Sequence, residues 1–177
     1  MNARAYSPRT WRRPVSDTDR LIETVRAFRD ADIKFVLIGA LAMIAHGTNT
    51  LTQDADFAYT IESENLERLA AFLASIRARV LGRPANDGFV IDTGLLQRVR
   101  FLNLDTTLGK LDVLREIGGV DSFEGLWARA VPMDFGGFMV RVASIDDLIA
   151  MKRAANRPKD QNHLYELLAL KKLLESE

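Results

Sequence analysis

Residues 35–59 read FVLIGALAMIAHGTNTLTQDADFAY, and the fold is decided within this stretch. The run from Lys34 to Ile38 is apolar, short and rich in β-branched and aromatic residues, which predicts a buried strand. Gly39-Ala40 ends it, and Leu41 to His46 reads as the start of a helix. GTNTL, residues 47–51, has the small and polar residues of a loop. Asp54 to Thr60 alternates and predicts a second strand. Residues two apart on a strand share a face, so Asp54 and Asp56 stand side by side while Ala55 and Phe57 turn to the core. Two adjacent carboxylates repel unless a positive group separates them. A hard divalent ion such as Mg²⁺, or Mn²⁺, suits such oxygen ligands.

The acids alone are weak evidence, because the chain carries two lookalikes. Asp17 and Asp19 open the predicted helix 16–29, where Ser16 or Thr18 can cap and acids suit the positive helix end. Asp30 and Asp32 fall where that helix ends, as loop acids facing water. Asp54 and Asp56 differ in their surroundings. In front of them lies a glycine turn leading into a helix, where backbone approaches a ligand closely and N–H groups attract phosphate. Behind them, KLDVL at 110–114 places a third carboxylate, Asp112, on another predicted strand.

Composition bounds the class. With 177 residues, 47% hydrophobic and 27% charged, the chain suits one soluble domain with a full core. Lys plus Arg and Asp plus Glu are 24 each, so net charge gives no case for general nucleic-acid affinity. Residues 1–15 are locally basic, with Arg4, Arg9, Arg12 and Arg13 and no acid. They read as a flexible tail or, alternatively, an arm for RNA or an acidic partner. No apolar stretch follows these arginines, so no secretory signal is expected. The absence of cysteine excludes disulfides and thiolate zinc, and points to a reducing cytoplasm. The longest apolar run, residues 35–45, is too short to span a bilayer, and no membrane association is expected.

Along the rest of the chain, a helix is predicted from Ser63, as its cap, through Val80, and a loop over 82–94 holding a short Phe89–Ile91 strand. Strands follow at 98–104 and 110–114, joined by the turn DTTLG. Next come a helix at 123–130 and a second hairpin, 131–135 with 138–142, around Gly136-Gly137. Ser144-Ile145-Asp146-Asp147 resembles a capping box opening a helix to Ala155. Pro158 suits the first turn of a last helix to about Leu174. The expectation is one domain over 16–177, of α/β or α+β class. It has a mixed β-sheet flanked by helices and a helical C-terminal segment from about 144 to 175.

The residues IGALAMIAHGTNTLTQDADFAY followed by GKLDVL resemble the DNA polymerase β-like nucleotidyltransferase superfamily. With IDDLIAMKRAANRPKDQNHLYELLAL, they resemble its small prokaryotic branch, the abortive-infection-type toxins of type IV toxin–antitoxin systems. The resemblance implies a nucleotidyltransferase-like fold and transfer of a nucleoside monophosphate from an NTP to a hydroxyl, with release of pyrophosphate. By the same resemblance, Asp54, Asp56 and Asp112 bind Mg²⁺ or Mn²⁺ and carry the catalysis, with Asp112 also helping to deprotonate the acceptor. Gly39 and the Ala40 amide cradle phosphates, and Lys152 and Lys159 neutralise triphosphate charge. RNA, a protein hydroxyl or a small molecule is the implied acceptor, and an antitoxin protein an implied partner. An antibiotic-modifying adenylyltransferase and a silent nucleotide- or partner-binding domain of the same fold are the alternatives. Three positions depart from the family pattern: Ala40 replaces a Gly or Ser, Thr50 an arginine, and His163 an acid. His46 is expected to be a structural helix-end residue.

Overall fold

The computed structural model describes residues 17–84 and 87–176. The predicted N-terminal tail and the Ser16 cap lie outside them. Fourteen elements follow in order: α1 (Asp17–Asp30), β1 (Phe35–Ile38), α2 (Gly39–Ala45), β2 (Asp54–Tyr59), α3 (Ser63–Ser75), β3 (Arg79–Val80), α4 (Thr93–Arg98), β4 (Phe101–Thr106), β5 (Gly109–Leu114), α5 (Phe123–Arg129), β6 (Val131–Asp134), β7 (Met139–Val142), α6 (Ile145–Ala155) and α7 (Pro158–Leu174). The strands form one mixed sheet in the order β3-β4-β5-β2-β1-β7-β6. Strand β1 runs antiparallel to β2 and parallel to β7, and β2 runs parallel to β5. This is the mixed α/β architecture that the sequence predicts, with the helical C-terminal segment in place.

One face of the sheet is sealed by aromatics. Phe28 of α1 stacks on Phe57 of β2 with ring centroids 3.7 Å apart, and meets Phe35 and Phe72 edge-on. Leu66, Leu69 and Leu73 of α3 are buried behind them. Tyr59, on the same face as Phe57, donates its hydroxyl to the Leu96 carbonyl of α4 at 2.8 Å. Fully burying such a side chain is worth ~1.5–3 kcal/mol, so this face supplies much of the stability. A buried amide braces the corner beside it. Asn65 accepts from the Lys34 backbone N–H at 2.6 Å and donates to the Thr60 and Lys34 carbonyls.

Four sequence expectations are corrected. Helix α3 stops at Ser75 rather than running to Val80, because Arg77 takes a left-handed conformation (φ 52°). There the Ala78 N–H turns back to the Leu73 carbonyl at 2.9 Å, closing the helix, and residues 79–80 join the sheet as β3. Phe89–Ile91 forms no strand and lies outside the ladder, with Phe89 and Val90 exposed and Ile91 half-buried. The strand expected from Arg98 instead begins at Phe101, after a helix (α4) capped by Asp92, whose carboxylate accepts from the Leu95 N–H at 2.7 Å. At Ser63 the cap lies one residue earlier, at Glu62, without a side-chain bond. The β4–β5 and β6–β7 hairpins, the Ser144 cap and Pro158 at the first turn of α7 all sit where the sequence puts them.

Candidate active site

The parallel register of β2 and β5 sets Asp54 opposite Lys110 and Asp56 opposite Asp112. Neighbouring strands lie ~4.8 Å apart, so the two in-register carboxylates share one row on one face. That face opens on a cleft of about 840 Å³ whose walls include all three aspartates. Gly39 and Ala40 form its floor near the β1–α2 junction, while Met151 and Lys152 of α6 and Lys159 and His163 of α7 stand on another wall. Every residue the sequence singled out for the site therefore lines this one cleft.

The glycine turn is tied to the carboxylates directly. Gly39 has φ 69°, and a Cβ built there falls 1.8 Å from Oδ2 of Asp56. No side chain fits, so the backbone and the carboxylate occupy adjoining space that only glycine permits. Strand β1, buried along its whole length, and helix α2 fix that turn in place.

The three acids sit in different electrostatic settings. Burial, then the charges of Asp54 and Asp112, push the Asp56 carboxyl up to about 7, against a smaller pull downward from Lys152 and Lys159. Asp112 is also raised, chiefly by burial, although a hydrogen bond from Asn103 opposes the shift. The outer two carboxylates are held by polar neighbours. Thr52 Oγ1 lies 2.5 Å from Asp54 Oδ1, and Asn103 Nδ2 donates to Asp112 Oδ2 at 2.6 Å. Among the described residues, no three His, Cys, Asp or Glu side chains are drawn together tightly enough to form a ready-made metal cage. The donor set nonetheless fits a hard divalent ion. It is made only of oxygen, and its central member is disfavoured as an anion until positive charge arrives.

Lys152, read from the sequence as a triphosphate contact, forms a buried pair with Asp160. Nζ of Lys152 lies 3.3 Å from Oδ1 of Asp160, and both residues are buried. Asn156 takes a left-handed conformation (φ 46°) and ends α6, and α7 starts at Pro158. This corner brings the two helices against each other. Arg157 also donates to Asp160, from Nε at 2.7 Å and from its backbone N–H at 3.1 Å. Burial alone would raise Asp160, but these hydrogen bonds and Lys152 hold it down at about 2. Lys159, by contrast, is exposed at the cleft.

Sequence reasoning missed several contributors. Asn103 gave no signal, because its role depends on pairing opposite Asp112 across the β4–β5 hairpin. Asp17 and Thr18, read only as a helix start, also line the cleft. Asp30 and Asp32 lie elsewhere, paired with Arg29 and Arg68. His46 ends α2 with Nε2 2.8 Å from the Ala143 carbonyl, a structural bridge between α2 and the segment after β7. Thr50 donates to Glu166 of α7 at 2.8 Å, tying the loop before β2 to the helix.

The profile of the nucleotidyl transferase AbiEii toxins of type IV toxin–antitoxin systems matches residues 20–165. The chain belongs to this family. No curated protein matches it. Two solved structures share the fold of this AbiEii-family chain. One is the solution structure of the antibiotic-resistance factor ANT(2'')-Ia, with a TM-score of 0.52 and 13% identity over 90% of this chain and 91% of the other. The second is a crystal structure of ANT(2'')-Ia in complex with adenylyl-2''-tobramycin, with a TM-score of 0.52 and 14% identity over 87% of this chain and 86% of the other. At such identity the likeness establishes the fold alone. Family and fold together assign the chain to nucleotidyl transfer in general.

Proposed function

We propose that the chain moves a nucleoside monophosphate from an NTP to a hydroxyl on a macromolecule, RNA or protein, and releases pyrophosphate. The observation that carries this is the carboxylate row of Asp56 and Asp112, flanked by Asp54, facing Lys152 and Lys159 across one cleft. In the reaction, the acceptor oxygen bonds to the α-phosphorus as the bond from that phosphorus to the pyrophosphate oxygen breaks. Asp112, whose carboxyl burial raises, takes the acceptor proton. Asp54, Asp56 and Asp112 hold Mg²⁺ or Mn²⁺, which supplies charge neutralisation on the phosphates when bound. The Gly39 and Ala40 backbone approaches the β- and γ-phosphates without a side chain in the way. Lys152, fixed by Asp160 before any ligand arrives, and the exposed Lys159 offset triphosphate charge. Catalysis of this kind rests on positioning and electrostatics, so the small residue set suffices.

The compartment is the cytoplasm. None of the described helices is long and apolar enough to cross a membrane, and the lack of cysteine agrees with a reducing environment. An antitoxin protein is the partner that the family implies. Incubation with each α-labelled NTP, Mg²⁺ or Mn²⁺, and pools of RNA, protein and aminoglycosides tests the reading. Label is expected on RNA or protein with the parent chain, none with Asp54→Ala or Asp56→Ala, and full transfer with Asp30→Ala. Label on an aminoglycoside alone identifies an antibiotic-modifying enzyme instead. Nucleotide binding without transfer to any acceptor identifies a silent domain.

A further inference from the structure

His163 stands where the family pattern carries an acid, and the structure gives it a definite chemical form. It lies on α7 one turn beyond Lys159, so the two side chains share a face of the helix, and both line the cleft. Its ring is half-buried. Among the described residues, Nδ1 is wholly shielded from solvent and has no hydrogen-bond partner, and Nε2, which is not so shielded, has none either. The buried Nδ1 goes unpaired in either tautomer, as donor or as acceptor, and so contributes nothing to a ligand. The nitrogen left to meet a ligand is Nε2, and with the proton there the ring presents a donor. Burial first, then Lys152, keep the ring from protonating, with Lys159 acting the same way and Glu166 and Asp160 opposing. At neutral pH the residue therefore offers the cleft one N–H and no charge.

We propose that His163 is a nucleotide-positioning residue, whose Nε2–H donates to a phosphate oxygen of the bound triphosphate beside Lys159. The inference rests on the nucleotide reading above and adds to it a donor that the family pattern does not supply. An acid at this place would repel the phosphate chain from the wall that carries Lys152 and Lys159. A neutral donor lets phosphate approach that wall and adds one directed bond to it.

The test is calorimetric titration of the full chain, with Mg²⁺, against each α,β-methylene ribonucleoside triphosphate and against inorganic tripolyphosphate. His163→Phe keeps the ring's bulk without a donor, and His163→Gln returns an N–H near the position of Nε2. The phenylalanine variant is expected to bind both ligand types roughly tenfold more weakly, the loss of one hydrogen bond to an anionic oxygen. The glutamine variant is expected to recover most of that loss. Ring ¹⁵N spectra of the parent chain are expected to show Nε2 protonated, Nδ1 bare, and a shift of the Nε2 signal when triphosphate binds. If no variant changes affinity, if glutamine loses as much as phenylalanine, or if tripolyphosphate binding is untouched, the phosphate contact is wrong. A proton on Nδ1, or an Nε2 signal indifferent to triphosphate, overturns it even if the phenylalanine variant does not fold. Failure of the parent chain to bind any triphosphate removes the nucleotide reading itself, and this inference with it.

Discussion

Replacing Asp56 by asparagine should make the metal-free protein more stable at alkaline pH and leave it almost unchanged at acid pH. The native carboxyl is pushed from 3.8 to about 7 by burial and by Asp54 and Asp112. Below about pH 4 both folded and unfolded chains carry the proton, and Asp56 costs nothing. From there to about pH 7 the unfolded chain releases its proton while the folded chain retains it, so stability falls as pH rises. Above about 7 the penalty is complete. At about 1.4 kcal/mol per pH unit, the gap is worth about 4 kcal/mol at most. Asp56 keeps some contact with water in the cleft, which screens the effect, so a gain of about 2 kcal/mol is the working figure. Asparagine is neutral throughout and nearly isosteric, so it removes the penalty while preserving the packing against Gly39. Urea unfolding in the presence of chelator, at about pH 4, 6 and 8, measures the difference directly. Millimolar Mg²⁺ should stabilise the parent at the highest pH and leave the asparagine variant unmoved. Equal or lower stability of Asp56→Asn at about pH 8, or a difference that does not grow with pH, would refute the claim that crowded carboxylates strain the free site.

Gly39→Ala is expected to cost stability as well as nucleotide binding, because its Cβ would fall 1.8 Å from Asp56 Oδ2 at a φ of 69°. A loss of at least ~2 kcal/mol in thermal or urea unfolding, together with loss of triphosphate affinity, is the expected result. An alanine variant with parental stability and affinity would show that the turn is not as tight as drawn. Asp160→Ala should destabilise by ~3–5 kcal/mol, since it strands buried Lys152 without its partner. Because Asp160 is held down at about 2, its contribution is present above the ordinary carboxylate range and fades as pH falls from about 4 through 2. Parent and variant should therefore converge in acid, and parallel stability profiles down to that pH would contradict the assignment.

The sequence made the centre of the site legible because strand geometry is periodic. A two-residue spacing fixes Asp54 and Asp56 on one face, and a glycine after a four-residue apolar strand marks the turn in front of them. Long-range pairing was only partly legible. The KLDVL strand was visible, but its register against β2 follows from packing in the sheet, as does the meeting of Asn103 with Asp112. Lys152 and Asp160 could be named, yet their burial against each other depends on a left-handed Asn156, a conformation that asparagine only favours. Arg77 is harder still. A non-glycine residue with positive φ ends α3, and nothing in SIRARV announces it. Helix α4 was hidden because Gly94 in its first turn reads as a breaker, although Asp92 supplies a good cap.

The register between β2 and β5 carries one more consequence, best expressed as parity. A slip of one residue would turn Asp112 into the core and bring Leu111 and Val113, both fully buried, out to water. Odd errors are therefore heavily penalised by hydrophobic burial. A slip of two residues preserves the inside–outside alternation, and in one direction it would bring Lys110 opposite Asp56 in place of Asp112. Charge alone favours that wrong arrangement, since Lys110 merely passes from Asp54 to Asp56 while Asp112 moves away from Asp56 and the repulsion between those two carboxylates is relieved. The correct pairing must then be selected by shape: by the β4–β5 hairpin closing at Thr106 and Gly109, and by Leu104, Leu111 and Val113 fitting their places behind the sheet. The carboxylate row is thus maintained against the local electrostatics of the strands that bear it. Mutations at the closed end of that hairpin, between Thr106 and Gly109, can silence the site without touching any residue in the cleft.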